Sequence, residues 1–159
     1  MTTIIPDMFP LSDVERSDPQ ERRRVRRDAA RRYAGRVIAA FRPTCIILHG
    51  SVARGTDAFE SDVDVVVIGG KLPQDFLERL QSLLALNDSS VPIEPLAYTE
   101  QEFERMLRRR HVTALDALHF GIPLHGQAYF EKLCATFDQM VAQGLRRTEC
   151  TWTMQRTLA

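Results

Sequence analysis

Gly50 and Ser51 close one apolar run, "CIILHG", and Asp62 and Asp64 open the next, "DVDVVVIGG". Residues two apart on a strand point the same way, so the two aspartates share a face. Val63, Val65 and Val67 take the other face, which the sequence marks as the core side. Carboxylates side by side repel, and the usual relief is a shared cation or a hydrogen-bonding network. With only oxygen ligands on offer, a hard ion such as Mg2+ is the natural choice. Gly50 lets an anion approach the backbone, and a turn into a helix start presents unpaired N–H groups beside the Ser51 hydroxyl. If the two strands are neighbours, cation and anion sites face one cleft. That arrangement suits a Mg2+-bound nucleoside triphosphate, with Asp62 and Asp64 on the metal and Gly50 and Ser51 on the β and γ phosphates.

In-line transfer at phosphorus also gains from a third carboxylate that completes the metal site and accepts the proton of the attacking hydroxyl. Glu94 is the candidate. It lies between Ile93 and Leu96 in a third strand-like run, where an unpaired carboxylate is costly to bury. Asp88, Glu100 and Glu102 are alternatives: the first sits in a polar loop, and the other two fit the first turn of a helix.

The elements that must carry these residues follow from period and punctuation. "SDPQE" signals a helix start, with Asp18 as cap and Pro19 at the first helical position, and the stripe Ala30, Tyr33, Ala34, Val37, Ile38, Phe41 runs until Pro43. "SVARGTDAFES" has room for one or two helical turns between the first two strands. Phe76, Leu77, Leu80, Leu83 and Leu84 mark another helix, and "VPIEPLAYT" a third strand whose Pro95 suits an edge. Thr99 and Glu102 form a capping box for one helix running through Phe103, Leu107 and Leu115 to Leu118, and a last helix ends near Gly144. The reading is an α/β (α+β) fold, a small mixed β-sheet flanked by helices with a helical C-terminal third. Residues 1–17 read as a flexible arm, 18–145 as a single domain, and 146–159 as a tail.

Composition removes other classes. The chain has 159 residues, with 21 Lys plus Arg balancing 21 Asp plus Glu, so no global field favours nucleic acid or an anionic membrane. Its 3 cysteines form no C-x-x-C pair, which argues against a zinc cluster or disulfide framework and for the cytoplasm. No run reaches the roughly 18 apolar residues of a spanning helix. Neither the Walker pattern nor G-x-G-x-x-G is present. The arginines of residues 22–27 are most simply a solvated helix face, with a partner or RNA surface as the alternative, and "LRRRH" at 107–111 has the same ambiguity. His111, one turn from Leu107 and Leu115, reads as a packed or interface histidine.

"GSVARG" followed by "SDVDVVV" resembles the nucleotidyltransferase superfamily that includes DNA polymerase beta, and within it the small prokaryotic minimal nucleotidyltransferases, or MNT proteins. The resemblance spans roughly residues 30–100. It implies that Gly50 and Ser51 bind triphosphate, that Asp62, Asp64 and Glu94 hold two divalent ions, and that Arg54 and Ser61 touch the triphosphate. It further implies transfer of a nucleoside monophosphate, AMP from ATP, to a hydroxyl with release of pyrophosphate. A HEPN-type protein is the implied partner, as the toxin that an antitoxin of this kind adenylylates. Two rivals are a small-molecule nucleotidyltransferase of the antibiotic type and a non-catalytic antitoxin that acts by binding alone.

Overall fold

The computed structural model describes residues 18–155, so the expected arm at 1–17 lies outside the described residues. Helix α1 spans Pro19–Phe41, followed by β1 at Cys45–His49, the short α2 at Gly50–Arg54 and β2 at Val63–Ile68. Then come α3 (Phe76–Leu84), β3 (Ile93–Tyr98), α4 (Glu100–Arg108) and α5 (Val112–Phe120). The remaining elements are β4 (Ile122–His125), α6 (Gln127–Ala142) and a hairpin of β5 (Leu145–Arg147) and β6 (Trp152–Met154).

The main sheet has the order β3-β2-β1-β4, with β1 antiparallel to both neighbours and β2 parallel to β3. β3 is an edge, where Pro95 costs the ladder little. The mixed sheet and the helix-rich C-terminal part agree with the expected fold class.

Helices cover both faces. Ala30, Tyr33 and Val37 of α1 pack with Ile46, Leu48, Val63, Val65 and Val67, and the Tyr33 hydroxyl reaches the Leu83 carbonyl at 2.9 Å. On the opposite face Ile47, Val66 and Ile68 pack with Phe103, Leu107, Leu115 and Leu118 from α4 and α5. The face of the aspartates is therefore as buried as the valine face further along the strand. Only its end, at residues 62–64, is open, with Asp62 exposed and Asp64 half-buried.

Four local readings change. The helix expected from Thr99 through Leu118 is two helices, broken where Arg110 takes a left-handed backbone (φ 57°). His111 is consequently an exposed N-cap of α5 and not a packed histidine. The expected tail carries the β5–β6 hairpin, and residues 122–125 form the second edge strand of the main sheet. α1 begins at Pro19 as expected, but the Asp18 side chain makes no capping hydrogen bond. The Thr99–Glu102 capping box is present with both hydrogen bonds.

Candidate active site

β1 ends and β2 begins at the same end of the sheet. His49 faces Asp64 across that antiparallel ladder, and Asp64 faces Glu94 across the parallel one. Strand alternation puts Asp62, Asp64 and Glu94 on one face, so the three candidate acids converge at one corner. Asp64 is half-buried, whereas Asp62 and Glu94 are exposed. The case for Glu94 is thus its register opposite Asp64, and the cost of burial that first recommended it does not apply. The alternatives have other work. Asp88 pairs with Arg36, Glu100 accepts from the Thr44 hydroxyl, and Glu102 caps α4 and binds Arg79 at 2.7 Å.

Gly50 has φ 70°, a conformation that side chains disfavour, and a Cβ there would fall on the Asp64 carboxylate. The turn into α2 and the acid on β2 are therefore in van der Waals contact, and Ser51 follows as the second residue of α2. Burial first, then the negative charges of Glu94 and Asp62 and a proton shared with Glu94, push the Asp64 carboxyl up to about 6, against a smaller opposing pull from Arg54. A cation here relieves that repulsion. The donor set of hard oxygens fits Mg2+, and Asp62, Asp64 and Glu94 are the residues that would hold it. Among the described residues no three ligating side chains are already closed around a point, so the acids form an open corner.

The remaining assignments divide. Arg54 stands at the C-terminal end of α2 with its guanidinium 5.2 Å from the Phe120 ring, near enough to the acids for its charge to act on Asp64. The Ser61 hydroxyl accepts the Ala58 N–H at 2.8 Å, which closes the loop before Asp62 and leaves its own proton to donate. His49 is driven to about 4 by burial, with Asp116 opposing and Arg54 assisting, so its ring is neutral at pH 7. Its Nε2 is buried without a hydrogen bond among the described residues.

The sequence missed the arginines that hold this corner. Arg26, only 5% exposed, places Nη1 2.7 Å from Asp57 Oδ2 and 2.9 Å from the Ala58 carbonyl. Arg23 donates to Asp57 Oδ1 at 2.7 Å and to the Gly55 carbonyl at 2.8 Å. Arg27 reaches the Val52 and Ala53 carbonyls of α2 at 3.1 and 3.2 Å. These three side chains of α1 tie down the loop between the Gly-Ser turn and the Asp-x-Asp pair, which corrects the reading of a solvated face. The signal in the sequence was Asp57, an acid in the motif loop of a chain whose first helix is rich in arginine. Trp152 donates its indole N–H to Asp116 at 2.8 Å and packs edge-on against His119 and Phe137.

The nucleotidyltransferase domain family matches residues 30–117, more than half of the chain and all of the corner just described. The chain belongs to the nucleotidyltransferase domain family. As a nucleotidyltransferase it is a transferase enzyme, in agreement with the resemblance read from residues 50–67. No curated protein sequence matches it. Similar solved structures include a Sulfolobus solfataricus chain assigned to the nucleotidyltransferases (19% identity, TM-score 0.47, covering 55% of this chain and 78% of that one). Another is a toxin-antitoxin with AMP-PNP (19% identity, TM-score 0.48, 70% of this chain and 86% of that one). A third is a mutant of the toxin-antitoxin MntA-HpeT (20% identity, TM-score 0.46, 69% of this chain and 82% of that one). No helix among the described residues is long and apolar enough to cross a membrane.

Proposed function

We propose that this nucleotidyltransferase binds ATP with Mg2+ and transfers AMP to a hydroxyl group, releasing pyrophosphate. The observation that supports this most is Asp64, opposed by Glu94 across the ladder and touching Gly50, with its carboxyl pushed up by burial and then by its acidic neighbours. Asp62, Asp64 and Glu94 would hold two divalent ions, and Gly50 N–H and Ser51 would hold the outer phosphates. Arg54 and the Ser61 hydroxyl supply further positive charge and a donor to the triphosphate. Glu94, exposed at the rim, takes the proton of the acceptor hydroxyl as its oxygen forms a bond to the α-phosphorus and the bond to pyrophosphate breaks. Bound Mg2+ supplies neutralisation of charge on the phosphoryl oxygens.

The acceptor we favour is a hydroxyl on a HEPN-type protein partner in the cytoplasm, the chain then acting as the antitoxin of a toxin-antitoxin pair. This rests on the resemblance of "GSVARG" and "SDVDVVV" to the minimal nucleotidyltransferases. The test is incubation with ATP labelled at the α-phosphate, Mg2+ and a HEPN protein encoded beside this chain. Label on the polypeptide, lost in Asp62→Ala and Asp64→Ala, supports the reading. Label on a low-mass acceptor sinks the protein hydroxyl, and neutralisation of the partner by the double-Ala variant sinks catalysis as the means.

A further inference from the structure

We propose that a cavity between α3, β3 and α4, at the far end of β3 from the acids, binds a small organic anion with an aromatic body. The cavity has a volume of about 390 Å3, within the lower range of small-molecule sites. Phe76, Tyr98 and Met106 give it an apolar lining, and Arg105 and Arg109 bring positive charge to it beside the paired Arg79 and Glu102. Phe76 is 53% exposed, so part of its ring is left uncovered at this wall. Tyr98 lies four residues beyond Glu94 on the same strand, about 13 Å away at the rise of an extended chain. A ligand here does not touch the nucleotide corner.

The charge pattern decides the ligand's head. Arg105 and Arg109 stand one helical turn apart, where like charges repel. Glu102, three residues before Arg105, is the acid that would neutralise them. It is taken instead by Arg79, which is 5% exposed and donates to it at 2.7 and 3.3 Å while also binding the Pro73 and Gln74 carbonyls. Among the described residues the Arg105 and Arg109 side chains make no ion pair or hydrogen bond, and the half-buried Tyr98 hydroxyl has no hydrogen-bond partner. Two guanidiniums and a phenol at an apolar wall select a carboxylate or sulfonate carried on an aromatic ring, since either part alone leaves half of the lining unmatched.

The probe is 8-anilino-1-naphthalenesulfonate, titrated into the full chain and followed by fluorescence and calorimetry. One saturable site is expected, weakened at least about tenfold in the Arg105→Gln/Arg109→Gln double variant, the loss set by a charge-assisted contact. The neutral analogue N-phenyl-1-naphthylamine should bind more weakly by a similar factor. Arg108→Gln/Arg110→Gln removes the same charge from exposed positions that do not line the cavity, and it should leave binding unchanged. All four arginines are exposed, so these variants keep the fold. Absence of a saturable site, equal loss in both double variants, or displacement by ATP with Mg2+ overturns the proposal.

Discussion

Arg26 Nη1 lies 2.7 Å from Asp57 Oδ2, and the two side chains are only 6% and 1% exposed. One belongs to the first helix and the other to the loop that joins the Gly-Ser turn to the paired aspartates, so a buried ion pair fixes the spacing of the two halves of the motif. Asp57→Ala leaves guanidiniums buried without their acid and should cost about 3–5 kcal/mol in urea unfolding. A cost under about 1 kcal/mol, as for a surface pair, would contradict the clamp.

The same pair sets an acid limit on stability. Burial by itself would raise the Asp57 carboxyl, but the combined hydrogen bonds from Arg23 and Arg26 outweigh it and hold the group below its ordinary value. A carboxyl depressed in the folded state contributes stability above its unfolded value of about 3.9 and loses it as pH falls through the folded value. The difference in melting temperature between the wild type and Asp57→Asn should therefore be full at pH 6 and shrink below about pH 4. A difference independent of pH would show that Asp57 acts by shape alone.

Gly50→Ala tests the contact between turn and acid. The left-handed backbone costs a non-glycine residue about 1–2 kcal/mol, and the new methyl group meets the Asp64 carboxylate. The variant should be less stable by at least that amount and should lose ATP binding in equilibrium dialysis. Wild-type affinity in the variant would show that the turn does not approach the nucleotide.

Asp64→Asn should act in opposite directions with and without metal. Because Asp64 titrates near 6 in the fold, its favourable protonated state is full below about pH 4 and lost as pH rises through 6. At pH 7 the metal-free protein carries an unrelieved charge that asparagine lacks. The variant should be more stable than the wild type by roughly 1 kcal/mol, a figure reduced for the partial exposure of the site. Addition of Mg2+ with ATP should stabilise the wild type and not the variant in thermal melts.

Phe120 carries Arg54 at 5.2 Å and Arg147 at 4.9 Å from its ring centroid. Phe120→Leu removes the ring that steadies Arg54 and should raise KM for ATP roughly threefold with little change in kcat, the size expected of an exposed cation-π contact. Equal falls in kcat and kcat/KM would instead place Arg54 at the transition state only.

What could be read from the sequence was what is encoded locally. β1, β2, α2 and the capping box of α4 rest on alternation, a glycine turn and a residue pair three apart, and each lies where those signals put it. Pro95 signalled an edge strand and lies in one. The arginine clamp depends on partners 31 to 34 residues apart, so helix periodicity showed only a charged face. β4 and the β5–β6 hairpin are strands of 4 and 3 residues whose pairing is their only definition. The break at Arg110 has no glycine or proline to announce it, and the apolar stripe resumes in phase on the other side. Glu94 was chosen for burial and is supported by register.

The most direct test is a crystal structure of the protein with Mg2+ and a non-hydrolysable ATP analogue. The expected density has the phosphates against the Gly50 and Ser51 amides and metal bridging them to Asp62 and Asp64, with Glu94 at its rim. Nucleotide bound elsewhere, or phosphates at Gly50 with no metal contact to either aspartate, would contradict it.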